Sequence, residues 1–204
     1  MKFLLAITFS FICLNLHAQS IEGDPDIHQY FPEGTVDWNI ITFDEEYISQ
    51  LYVDNNIWND MLDNILTKVG IPYTWGGGTW EGGVDCSHFT WRIYQDHGFF
   101  YDQYMTTHDL KGISEEENGL IVVDPEDMQP GDLLVYGYYR SPPSDRWRGH
   151  VMLLVDKNFS DGEFKGLMVG SQSYGVNFLT YKGFPHYYVT PEMKLQKVLR
   201  VKDL

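Results

Sequence analysis

Cysteine is nearly absent from this chain: 204 residues carry two, Cys13 and Cys86. Cys13 lies in an apolar run near the start, so the folded part is left with one thiol and nothing to form an intramolecular disulfide. Basic side chains are also few, 14 Lys and Arg against 29 Asp and Glu, for a formal charge of −15. Binding nucleic acid would need a basic stripe to neutralise phosphates, so nucleic acid is not expected as a partner, and the acidity reads as solvated surface. Long apolar runs are missing too. The one at 3–14 falls well short of the roughly 20 residues that cross a bilayer, so no integral membrane span is expected. No spacing of histidines and carboxylates suits zinc or calcium, and no glycine-rich loop carries the lysine of a phosphate cradle, so no cofactor is expected. Internal repeats, low-complexity segments and interdomain linkers are absent.

What is present is a hydrophobic fraction of 43% and an aromatic fraction of 16%, the composition of a folded globule with room for one core. Residues 1–18 read as an export signal: Lys2 supplies the charge, 3–14 the apolar run, and Ala18 a small residue before a cut at Gln19. A periplasmic or secreted protein is therefore expected. A lone thiol in an exported protein invites explanation, because oxidising compartments pair cysteines or select them out unless they are used.

Residues 19–44 form an acidic, aromatic arm with Pro25, Pro32 and Gly34, whose Tyr30, Phe31, Trp38 and Phe43 should dock on the domain. Over 45–69 the apolar residues Ile48, Leu51, Ile57, Trp58, Met61, Leu62 and Ile65 recur at spacings of three and four. That predicts one or two amphipathic helices, with a break near Asp54-Asn55-Asn56 and a stop at Gly70. The stretch 73–87, Tyr-Thr-Trp-Gly-Gly-Gly-Thr-Trp-Glu-Gly-Gly-Val-Asp-Cys-Ser, turns tightly on two glycine clusters and delivers Cys86 to the start of a new helical pattern. Phe89, Ile93, Tyr94 and His97 continue that pattern for about three turns, to a cap at Gly98. The acidic run Glu115 to Glu117 reads as solvated surface. Strand composition follows at 133–138, 150–156, 167–171 and 195–201, with the second apolar on both faces and therefore central. A polar loop at 140–149 and a hairpin turn at 157–166 separate them. Helices first and hairpin-linked strands afterwards predict an α+β domain with an antiparallel sheet. The expected boundaries are a signal peptide at 1–18, an arm and helix at 19–59, and a catalytic domain at 60–204.

A thiol attacks as its thiolate. Cys86 in the first turn of a helix meets unpaired N–H groups and the positive end of the dipole, which favours the anion by roughly 0.3 to 1 kcal/mol. A histidine must then serve as base. His28, His88, His97, His108, His150 and His186 are available beyond the leader, and His150 is favoured because it opens the predicted central strand, where a side chain can face a helix N-terminus. A third polar group would fix its tautomer. Otherwise Cys86 would be a small buried hydrophobe and His150 a polar strand end.

The stretches Pro72-Tyr-Thr-Trp-Gly-Gly and Asp85-Cys-Ser-His-Phe resemble the nucleophile motif of the NlpC/P60 cysteine peptidases. Pro130-Gly-Asp-Leu-Leu-Val and His150-Val-Met-Leu-Leu-Val resemble that family's next two strand motifs, in the same order. The resemblance covers about 60–182. It implies a papain-like α+β core, a nucleophile helix packed on an antiparallel sheet, and hydrolysis of amide bonds in peptidoglycan stem peptides next to D-glutamate. It also implies Cys86 as nucleophile, His150 as base and an oxyanion site at the Cys86 N–H. Tyr73, Asp85 and Ser87 match positions lining the substrate site, and Trp75 and Ser171 are placed with them. Two positions depart from the family pattern. His88 stands where glycine is usual, and Gly170 where the third catalytic group, often histidine, is expected. Gln172, on the same strand face as Gly170, is the first candidate for that group, with Ser171, a more distant residue such as His186, or no orienting group as alternatives. An acyl transferase or amidase using the same pair, and a catalytically dead wall-binding module, are the competing functions.

Overall fold

The structure, a computed structural model, describes residues 38–41, 45–99, 103–139, 146–188, 191–202 and 204. The leader, Tyr30, Phe31, Phe43 and most of the arm lie outside these residues, as do His28 and the part of the polar loop at 140–145. The chain divides into two units at Glu33 and Gly34, and every described residue belongs to the second.

The helical stretch breaks where the polar residues fall. α1 covers Glu45–Gln50 and α2 covers Asn56–Lys68. Asn55 caps α2, its side chain accepting from the N–H groups of Ile57 and Trp58 at 3.0 and 3.1 Å, which satisfies two of the otherwise orphaned donors. The face of α2 bearing Trp58, Met61, Leu62 and Ile65 is buried, each side chain contributing about 1.5 to 3 kcal/mol of transfer free energy. Gly70 ends the run at φ +87°, a conformation that glycine adopts without a Cβ penalty.

α3, Cys86–Asp96, packs against α2 and the sheet, and α4, Thr107–Gly112, follows with a capping box between Thr106 and Asp109. The sheet strands are β1 (Trp38–Ile40), β4 (Glu116–Glu117), β5 (Leu120–Val123), β6 (Leu133–Tyr139), β7 (Trp147–Asp161), β8 (Phe164–Gln172), β9 (Gly175–Tyr181) and β10 (Lys194–Val201). The short hairpin β2 (Gly78–Thr79) and β3 (Gly83–Val84) stands apart from them. The eight strands form one antiparallel sheet in the order β1-β9-β8-β7-β6-β10-β5-β4. This is the expected α+β architecture of helices on an antiparallel sheet.

Both faces of the sheet are covered. Val135, Val151, Leu153 and Val169 meet the α3 side chains Phe89 and Ile93, while the alternate residues Tyr136, Met152, Leu154 and Met168 join Leu179, Tyr181 and Tyr188 on the far face. Three expectations change. β7 starts at Trp147, so His150 sits inside the strand and not at its start. The segment 157–166 is mostly strand, not turn: β7 runs on to Asp161 and β8 resumes at Phe164. Finally, the arm supplies an edge strand, β1, paired with β9.

Candidate active site

The site lies at a split in the sheet. β7 and β8 pair from Leu153↔Val169 outward to the hairpin tip, but not before it. The first part of β7 pairs with β6 alone, from Trp147 to Met152, and the last part of β8 with β9 alone, from Gly170 to Gln172. The segment leading to α3 fastens at this opening. Ser171, fully buried, donates its hydroxyl to the Val84 carbonyl at 2.6 Å, and the Val151 N–H turns to the Cys86 sulphur. The thiol thus arrives from the helix side beside Val151, whose neighbour His150 lies among Tyr136, Met152 and Tyr188. Among the described residues no hydrogen bond joins the thiol to the imidazole, whose Nε2 lies against the Met152 sulphur.

Asp85 is the N-cap of α3. Its Oδ1 accepts from the His88 N–H at 2.8 Å and from the Ser87 hydroxyl at 2.9 Å, with His88 Nδ1 at 3.1 Å. Ser87 Oγ also lies 2.9 Å from the Tyr104 hydroxyl, and the Tyr104 ring stacks on His88 with centroids 3.9 Å apart. His88 therefore packs between Tyr104 and Gly78, where a Cβ would come within 2.9 Å of its ring.

Cys86 is 7% exposed and His150 9%. Burial, then the Asp85 charge, push the thiol up to about 12; the N–H groups of Val151, Ser87 and Cys86 itself pull the other way and lose. The helix N-terminus was expected to favour the thiolate. Burial outweighs it, because a dipole worth about 1 kcal/mol cannot offset removal of an anion from water. Burial likewise pushes His150 down to about 4, against a weaker upward pull from Asp85. The resting pair is a neutral thiol and a neutral imidazole.

Gln172 does not meet His150. Its Oε1 accepts from the Tyr188 hydroxyl at 2.6 Å and the Tyr181 hydroxyl at 3.3 Å, while its Nε2 is buried without a partner among the described residues. It acts one step away, on the ring that stacks against His150 with centroids 4.4 Å apart. His186 is exposed and joins the turn by its backbone. His97 caps α3 through Ile93 and Asp60 carbonyls, and His108 stands by Tyr139. The atom in contact with the imidazole is the Met152 sulphur, 3.0 Å from Nε2. Tyr73 bridges to Val84, two residues before Cys86, Trp75 is 72% exposed on the glycine loop, and Ser171 is a buried tie facing Val84. Tyr188, Tyr104 and Met152 were not legible as site residues; the only signal for Tyr188 was its place two residues beyond His186.

Residues 70–179, more than half of the chain, match the profile of the NlpC/P60 family. A gamma-D-glutamyl-L-lysine dipeptidyl-peptidase of Bacillus cereus is 33% identical over 92 residues, which are 45% of this chain and 25% of that protein. The chain thus spans about a quarter of that relative. Similar solved structures include two that cover most of this chain. One is a lipoprotein-like NLP/P60 family protein of Staphylococcus aureus, at 17% identity and a TM-score of 0.49, covering 87% of this chain and 48% of the other. The second is an NlpC/P60 family protein of Bacillus cereus, at 20% identity and a TM-score of 0.49, covering 71% and 40%. The match, running from the glycine loop through α3 to β9, places this chain in the NlpC/P60 family.

Proposed function

We propose that this protein is an exported cysteine peptidase of bacterial cell walls that hydrolyses amide bonds in peptidoglycan stem peptides at D-glutamate. The observation that carries the reading is the opening between β7 and β8, where Ser171 ties the Val84 carbonyl that leads into Cys86 beside the strand bearing His150. Family membership and the name of the Bacillus cereus relative support the substrate class.

His150 takes the thiol proton as sulphur attacks the carbonyl carbon, so the anion is formed only as it reacts. The developing oxyanion is received by the Cys86 N–H in the first turn of α3. The imidazolium returns the proton to the leaving amine, and water then cleaves the thioester with His150 again as base. Asp85, Ser87 and Tyr104 form a polar wall beside the sulphur, and Asp85 Oδ2 has no hydrogen bond to a described residue. A carboxylate there favours a substrate with a free amine close to the scissile bond.

Defined stem peptides with free or acetylated amino ends, digested and read by mass spectrometry, test this. Hydrolysis at the D-glutamyl bond, faster by about tenfold or more with the free amine, is expected. Transfer of the acyl group to an added amine would move the protein to the acyl transferases.

A further inference from the structure

The place where the family pattern puts a third catalytic group is held by Gly170, yet the space beside it is filled. A Cβ built on Gly170 would lie 2.5 Å from the Met152 sulphur and 3.1 Å from its methyl carbon. Met152 is fully buried, and its sulphur stands 3.0 Å from His150 Nε2. At 3.0 Å the pair is within hydrogen-bond distance, and a hydrogen between them must come from one of the two. A thioether can accept but has nothing to donate, so the hydrogen belongs to Nε2. The neutral imidazole then carries its lone pair on Nδ1. Gln172, the other acceptor nearby, has its oxygen occupied by the hydroxyls of Tyr188 and Tyr181. Tyr188 fixes the plane of the ring by stacking, with 28° between the planes, and stacking alone does not choose between the two nitrogens.

We propose that the Met152 thioether is the positioning residue of His150, holding the Nε2–H tautomer and leaving Nδ1 to accept the Cys86 proton. Gly170 is its necessary partner: any side chain there would displace the sulphur. The orienting group thus lies on β7, facing the glycine on β8. The role of Nδ1 rests on His150 being the base proposed above; the tautomer does not.

Nitrogen-15 NMR of the full-length protein labelled at histidine reads the tautomer directly, and stem-peptide hydrolysis reads its use. Wild-type His150 is expected as a single Nε2–H tautomer. Met152→Leu keeps the volume close to constant and removes the acceptor. It should populate the Nδ1–H form and lower kcat by about tenfold with little change in KM, the loss of one modest hydrogen bond. Met152→Gln, with an amide oxygen at similar reach, should restore both. Gly170→Ala is an independent route, since it pushes the flexible end of Met152 away without altering either residue of the contact, and should reproduce the Leu result. The proposal is overturned if Met152→Leu and Gly170→Ala leave a single Nε2–H tautomer, or if wild-type His150 is protonated on Nδ1. A wild-type protein with the expected tautomer but no stem-peptide activity would refute the substrate reading and leave the positioning role standing.

Discussion

Burial acts on Cys86 and His150 in opposite directions, raising the thiol to about 12 and lowering the imidazole to about 4. Each group is held in its uncharged form, and the consequence for stability can be measured. Between the unperturbed 6.5 of histidine and about 4, the unfolded chain takes up a proton that the folded chain refuses, so stability falls as the pH drops through that window. Between the unperturbed 9.0 of the thiol and about 12, the unfolded chain loses a proton that the folded chain keeps, so stability falls again as the pH rises. Replacing His150 with Phe should remove up to about 3 kcal/mol of the acid-side loss. Urea titrations of both proteins at pH 6.5 and pH 4 check this. Parallel losses in the two proteins would show that the ring is not held neutral. The same residues mark a limit of reading sequence. The Asp-Cys-Ser step and His150 stood out because their neighbours carry motif information. Met152 did not, since a buried methionine in an apolar strand has no pattern of its own, and the role proposed for it follows from its contact with His150 and its cross-strand distance to a glycine.

At the scale of elements, the placing of His150 depends on a turn and on two strands. Asp132, fully buried, follows the Pro130-Gly131 turn, and its two carboxylate oxygens accept from Arg200 Nε and Nη2 on β10, both at 2.8 Å. Its own backbone carbonyl accepts from the Leu154 N–H, fixing the register of β6 against β7 and so the height of His150. Arg200→Met would strand a buried carboxylate and should cost about 3 to 5 kcal/mol. A fall in the thermal midpoint measures it, and an unchanged midpoint would place the pair among ordinary surface bridges. The two helices leading to the site were legible because one apolar face sets their period, and the strands β6, β8 and β10 because they are apolar or alternate. The extension of β7 to Asp161 was not, since Lys157, Asn158, Ser160 and Asp161 are exposed on a ribbon with little to bury. β9 was missed for a related reason: it carries Asn177 and Thr180 among its apolar residues, and its pairing with β8 comes from a turn at 173–174 with no strong signature. The split between β7 and β8 leaves no trace in any periodicity, since it depends on which ladder bonds are given up to admit the Val84 to Cys86 segment.

Across the described part of the chain, a single antiparallel sheet carries helices on one face and a tyrosine-rich layer on the other. Cys86 comes from the first layer, and His150, Met152 and Tyr188 from the second, so the site exists only where the sheet opens. Among the described residues no helix is long and apolar enough to cross a membrane, and no cluster of three or more His, Cys, Asp or Glu side chains could hold a metal ion. The chemistry proposed above falls to Cys86 with His150 as its base. Incubation of purified peptidoglycan with the wild-type protein and with Cys86→Ala, followed by mass spectrometry of the soluble products, tests that assignment most directly. Stem-peptide fragments released by the wild type and absent with Cys86→Ala are expected; equal release by both proteins, or none by either, would contradict it.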